Sequence, residues 1–115
     1  MVNSLILVGR LTKEIEIRET DSGKKVGTLS LAVPRSFKNS EGVYETDFIN
    51  CTLWEEKAKV TKEYCEKGDI VGIRGRLQSK IVETEDGSKY FLEVVADRIT
   101  FLTNKKQENV KNTDI

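Results

Sequence analysis

The chain has 115 residues, 37% of them hydrophobic and 33% charged, and its 19 basic residues balance 19 acidic ones. This length predicts one globular domain with a single core and excludes a two-domain chain. The sequence has no histidine, which excludes histidine-based metal sites and serine–histidine or cysteine–histidine nucleophile pairs. We therefore expect no enzyme and no bound metal or cofactor.

The sequence also carries signals about location. No apolar run approaches the roughly 18 residues of a membrane span, and residues 1–4 do not resemble a signal peptide. We expect a cytoplasmic protein that does not contact membranes. In that compartment Cys51 and Cys65 are expected to be buried and reduced.

The first two strands are predicted from apolar patterns. Residues 5–8 are all apolar, which favours a strand buried on both faces, and Gly9 suggests a bend. Residues 13–18 alternate and continue this strand. After a turn, residues 26–33 form a second strand, which we expect Pro34 to end.

Residues 35–42 are predicted to form a loop that carries one aromatic ring between two cations. Phe37 lies between Arg35 and Lys38. A lone aromatic of this kind often packs under its own loop. Its charged neighbours also fit base stacking with a phosphate contact on either side.

Residues 47–54 are predicted to form the central strand, because they alternate with period two. One face carries Ile49, Cys51 and Leu53, which can pack a core. The other carries two large aromatics among polar residues, namely Phe48, Asn50, Thr52 and Trp54. This second face is either covered by another part of the protein or a subunit, or it is a platform for a flat ligand.

The remaining elements are a helix over residues 55–67, with Ala58, Thr61 and Tyr64 in its apolar stripe, and two strands. The strand from residue 70 carries a line of cations on one face, Arg74, Arg76 and Lys80. Such a line fits a phosphate backbone, although a solvated edge strand has the same composition. A turn at residues 85–88 leads into a last strand over 90–102. In the strand before that turn, Gly75 marks a possible corner.

This order of elements predicts an all-β domain with one short helix. Five strands with a helix between strands 3 and 4 are typical of the five-stranded OB-fold barrel, over residues 1–102. Residues 103–115 are polar and unpatterned, and we expect a disordered tail.

Six motifs in matching order then resemble one family, that of the bacterial homotetrameric single-stranded DNA-binding proteins. They lie at residues 7–11, 31–33, 48–54, 64–69, 73–77 and 93–97. The resemblance implies base stacking on Phe37, Phe48 and Trp54, whereas the family's fourth aromatic position is Val82, which cannot stack. It implies phosphate contacts from matching basic residues, namely Lys38, Lys67, Arg76 and Lys80.

The resemblance further implies a nucleoid-associated homotetramer. It would bind single-stranded DNA without marked sequence preference and protect it during replication, recombination, repair or DNA uptake. The sequence ends in Asn-Thr-Asp-Ile, without the family's acidic tip. Either it resembles the family's short forms or its tail has been cut away, and recruitment of replication and repair proteins is doubtful in both cases.

Alternatives stay open at this level. The chain could be an OB-fold replication-restart accessory subunit, which would be dimeric. It could instead be a protein-interaction barrel in which Phe48 and Trp54 lie in a subunit interface. A sugar-binding barrel gives no reason for the line of cations. The zero net charge alone argues against nucleic acid, but the distribution of charge matters more than its sum.

Overall fold

The computed structural model describes residues 1–102, and the predicted tail lies outside them. The elements in chain order are β1 Leu5–Leu11, β2 Glu16–Glu19, β3 Lys25–Lys38, β4 Tyr44–Trp54, α1 Glu56–Tyr64, β5 Ile70–Thr84 and β6 Gly87–Phe101. The six strands form one sheet in the order β1-β5-β6-β4-β3-β2, and an additional pairing of β1 with β3 closes it into a barrel.

The predicted five-stranded barrel with one helix is confirmed, and β2 is an additional strand of the same sheet. Residues 13–18 do not continue β1, because the chain turns inward at Ile15, which is 2% exposed. The following residues form the separate strand β2, antiparallel to the start of β3. The helix therefore lies between β4 and β5, and not between the third and fourth strands as predicted.

The core lies inside the barrel and is built from alternate residues of the strands. Leu29 and Leu31 of β3, Leu53 of β4 and Val71 of β5 are all fully buried. Each neighbours in sequence a residue that points outward, as the period-two geometry of a strand requires. Hydrophobic burial on one face of each strand therefore fixes which residues the outer face presents.

The prediction that β1 is buried on both faces is wrong. Leu5 and Leu7 pack against the core, but Ile6 is 74% exposed and Val8 is 50% exposed. A barrel strand has one face inside and one outside, and no described element covers the outer face of β1. The apolar run therefore supplies both core residues, Leu5 and Leu7, and residues of an exposed outer surface, Ile6 and Val8.

Pro34 does not end its strand, which is a second correction. β3 continues to Lys38, with Pro34 opposite Thr46 and an irregular register between Pro34 and Lys38. Proline cannot donate a ladder hydrogen bond, and a bulge is one of the places where a strand tolerates it. The predicted loop over 35–42 shrinks to the tip between Lys38 and Tyr44.

The helix is shorter than the predicted 55–67. It ends at Tyr64, because Cys65 is extended, with its N–H bonded to the Thr61 carbonyl. Ala58, Thr61 and Cys65 are buried as expected. Tyr64, predicted to be core, is 41% exposed, with its ring centroid 6.0 Å from that of Phe101.

Gly9 and Gly75 occupy the corners that the sequence suggested. β1 pairs with β5 up to Arg10 and with β3 from Arg10 onward. The ladder between β5 and β6 shifts register between Arg74 and Gly75. Beyond this bulge the two strands form a long hairpin, exposed on both faces over residues 79–92. The corner at Gly75 thus directs this hairpin away from the barrel.

Candidate nucleic-acid interface

The outer face of β4 joins a row of small residues on β3. In the antiparallel register, Phe48 lies opposite Ala32, and Asn50 opposite Ser30. Along β4, Thr52 and Trp54 extend this outer face toward the end that pairs with the start of β3. Small side chains on the neighbouring strand leave the aromatic rings uncovered, so this face is a shallow surface bounded by two rings.

The aromatic rings of this surface are accessible. Phe48 is 75% exposed and Trp54 is 40% exposed, while Phe37 near the tip of the β3–β4 hairpin is 63% exposed. Exposed rings of this size are unfavourable in water unless a ligand or partner covers them. Their arrangement on one strand pair can present flat apolar area to planar ligands.

A hydrogen-bond network joins this surface to the β5–β6 hairpin. Thr52 Oγ1 donates to Glu93 Oε2 at 3.2 Å, and Gln78 Nε2 donates to Glu93 Oε1 at 3.1 Å. Arg76 in turn donates to Gln78 Oε1 at 2.6 Å. The network makes one continuous face from β3 across β4 and β6 to β5.

An open cleft of about 560 Å³ lies between Trp54 and the hairpin. Asn50, Thr52 and Trp54 line one side of it, and Gln78 and Lys80 line the other. Asn50 Oδ1 accepts a hydrogen bond from Ser30 Oγ at 2.7 Å, which orients the amide. The cleft thus combines a ring, oriented polar groups and a cation.

Arg35 is engaged by two carboxylates on the neighbouring strand. Its guanidinium contacts Glu45 at 2.6 Å and Asp47 at 2.9 Å. The hydrogen bond to Asp47 is the main cause of a raised pKa for Arg35, and the same bond lowers the pKa of Asp47. Arg35 can therefore bind a phosphate only in competition with these carboxylates.

The other candidate cations fall into two groups. Lys80 lines the cleft, half-buried Arg76 adjoins it, and Lys38 lies with its ammonium 5.7 Å from the Tyr44 ring centroid. Two lie elsewhere. Arg74 is opposite Ile6 on β1, and Lys67 follows the helix, with its backbone N–H bonded to Glu14.

Several residues of this surface were missed at the level of sequence, among them Arg18 and Glu93, which line the cleft. Glu93 and Phe91 share the outer face of β6, and Tyr44 lies on the same alternating face of β4 as Phe48. In a strand over residues 90–95, successive side chains point to opposite faces. The sequence alone could not show which of these two sets of side chains lies on the same face as the outer residues of β4. The pairing with β5 decides that question.

Both cysteines lie in the core of the described part of the chain. Cys51 and Cys65 are free and buried, as predicted, and burial raises their thiol pKa to about 11 and about 12 respectively. Within residues 1–102, no group of three or more cysteine or acidic side chains could hold a metal ion. In the same range, no helix is long and apolar enough to cross a membrane.

A closed barrel with exposed rings and cations on one outer face defines an oligonucleotide-binding type of OB-fold domain. Comparison with known proteins is more specific. Residues 2–102 match the model of the single-strand binding protein family. The chain belongs to this family.

Its relatives cover nearly the whole chain. Single-stranded DNA-binding protein B of Bacillus subtilis is 47% identical over 94% of this chain and 96% of its own length. Single-stranded DNA-binding protein 1 of Lactococcus lactis is 44% identical over 94% of this chain and 73% of its own length. The resemblance of the six motifs is therefore confirmed.

Solved structures agree with the fold. A Plasmodium falciparum single-strand binding protein in complex with single-stranded DNA superposes with a TM-score of 0.76 at 24% identity, covering 89% of this chain and 96% of that one. A Thermus aquaticus single-stranded DNA-binding protein gives 0.75 at 25% identity, over 90% of this chain and 52% of that one. The barrel is thus shared at low sequence identity.

Proposed function

We propose that this chain binds single-stranded DNA without marked sequence preference, by stacking bases on Phe37, Phe48 and Trp54. The observation that carries the proposal is the pair of exposed rings on the outer face of β4, beside small residues of β3. Each base stacked on an aromatic ring contributes about 1–3 kcal/mol, and every base has such a face. Duplex DNA hides these faces, so single strands are preferred.

Polar groups and cations complete the proposed contacts. Asn50 and Thr52, which lie between Phe48 and Trp54, supply hydrogen bonds to bases or sugars. Lys38, Arg76 and Lys80 bind phosphates and make the affinity dependent on salt. Arg35 joins them when a phosphate displaces Asp47. Lys67, away from the cleft, contacts only a strand that wraps around the barrel. Arg74 lines the groove beside Ile6 of β1, so it contacts such a strand only where a second subunit leaves it uncovered.

The proposed role is protection of single strands in the cytoplasm, at the nucleoid, during replication, recombination, repair or DNA uptake. Stacking and charge neutralisation require neither a nucleophile nor a metal. We therefore infer a binding protein without catalysis, in keeping with the non-catalytic character of its family. Recruitment of other replication and repair proteins is not part of the proposal.

We also infer that four chains assemble, as in the homotetrameric family that the sequence resembles, and the structure offers a surface for one of the contacts. The outer face of β1, with Ile6 and Val8, adjoins Leu102, which is 45% exposed, to form an apolar groove. Covering such a groove with a second copy would bury apolar area that water now contacts. Sedimentation should give the mass of a tetramer, whereas a replication-restart accessory subunit would give a dimer.

Intrinsic fluorescence tests the binding mode, because Trp54 is the single tryptophan. Poly-dT should quench it, and a duplex of equal length should not. Trp54→Ala should weaken binding about tenfold or more, while Trp54→Phe should retain most of the affinity because it retains a ring. Fluorescence unchanged by poly-dT would favour the alternative in which Trp54 contacts another protein.

A further inference from the structure

The β5–β6 hairpin carries a further aromatic side chain on the cleft side. Glu93 faces the cleft, since it bonds Thr52 of β4 and Gln78 of β5. Phe91 is two residues away from Glu93 on the same strand, and therefore on the same face. Its partner across the ladder is Lys80, which itself lines the cleft. The part of β6 that lines the cleft is Leu92 and Glu93, and Phe91 lies just beyond it, beside the cleft-lining Lys80.

The surroundings of Phe91 are those of a binding residue. Its side chain is 51% exposed, in a part of the hairpin where both faces are open, so packing does not explain the ring. Lys80 lies directly opposite, and Lys89 lies two residues along the strand, opposite Val82. Among the described residues neither lysine forms an ion pair, so both are available to phosphates.

The opposite face of the same hairpin provides an internal comparison. There Tyr90 pairs with Ile81, and Leu92, which also borders the cleft, pairs with Ser79. Tyr90 and Leu92 are each 74% exposed, but these pairs contain no cation. The hairpin therefore separates a face without cations, which carries Glu83, from a face that combines a ring with two lysines.

We propose that Phe91 is a base-stacking residue that extends the DNA-binding surface from the barrel onto the hairpin. The inference rests on the proposed function, since it assumes that single-stranded DNA occupies the cleft. Val82 occupies the position at which the family's fourth stacking ring would lie. It is the diagonal neighbour of Phe91 on the same face. A ring at residue 91 provides stacking area at this end of the cleft, and Lys80 and Lys89 bind the flanking phosphates.

Substitution at residue 91 tests the proposal in the full chain. Phe91→Ala should weaken binding of poly-dT about tenfold, and Phe91→Leu should weaken it similarly, because leucine is apolar but cannot stack. Phe91→Tyr should retain the affinity. Tyr90→Ala, on the other face of the same strand, is the matched control and should bind as tightly as the parent protein. Circular dichroism verifies that each variant is folded.

A direct readout separates this inference from the proposed function. In a Phe91→Trp, Trp54→Phe double variant, poly-dT should quench the fluorescence of the new indole. Unchanged affinity of Phe91→Ala, an equal loss in Tyr90→Ala, or no quenching in the double variant would each overturn the role of Phe91. In those cases quenching of Trp54 in the parent protein would still support the proposed function, and its absence would reject that function itself.

Discussion

Replacing Gly75 by alanine should destabilise the protein, because the bend in β5 leaves no room for a side chain. A Cβ at residue 75 would lie 2.2 Å from the Val95 carbonyl oxygen, well inside the 3.0 Å that such contacts respect. Both atoms belong to the backbone or are fixed to it, so no rotamer change relieves the overlap. Either the bulge opens or β6 moves, and overpacking of this kind costs about 1–3 kcal/mol.

Gly72→Ala is the matched control, since it lies in the same strand three residues earlier. The nearest atom to its Cβ would be the Thr100 Cβ at 3.8 Å, an ordinary contact. Gly72 also lines the β1 groove, so sedimentation must first show that Gly72→Ala assembles as the parent protein does. Alanine there should then be neutral, or stabilise by about 0.4–1 kcal/mol through a restricted unfolded chain. The pair thus isolates the close approach at Gly75 from the general cost of losing a glycine.

Urea unfolding at one protein concentration, followed by circular dichroism, measures the difference. Gly75→Ala should unfold at clearly lower urea and melt at least about 4 °C lower. Its affinity for poly-dT should also fall, since the bulge directs the hairpin that carries Lys80. Equal stability of the Gly75→Ala and Gly72→Ala variants would refute the argument that the bend requires a residue without a side chain.

Two further predictions follow from the charges and the thiols. Lys80→Gln should reduce the slope of log affinity against log salt by about 0.7, the value for one phosphate contact on a single strand. Lys59→Gln, on the helix and paired with Glu56 at 3.7 Å, should leave the slope unchanged; equal slopes in both variants would exclude a Lys80–phosphate contact. Cys51 and Cys65 should resist a thiol reagent at pH 8 until urea unfolds the chain, because burial keeps both thiols protonated up to a pH near their pKa values of about 11 and about 12. Immediate labelling of the folded protein would contradict this burial.

Local patterns predicted the barrel and much of its outer face. Hydrophobic alternation assigned Cys51 and Leu53 to the core and Phe48 and Trp54 to the other face, since successive strand residues point in opposite directions. The same reasoning failed for Pro34, where a bulge allows β3 to continue. It also failed for the run at β1, because apolar side chains at Ile6 and Val8 do not reveal whether another element covers them.

The sequence by itself determined the class of protein: its strands, the rings and cations they carry, and the absence of histidine chemistry. Only the tertiary structure decided which of these groups meet. Glu93 bonds Thr52 across 41 residues of sequence, Asp47 engages Arg35, and Arg74 lies opposite Ile6 of β1. Such contacts depend on strand pairing and register between distant segments, whereas local periodicity constrains only the face on which a residue lies.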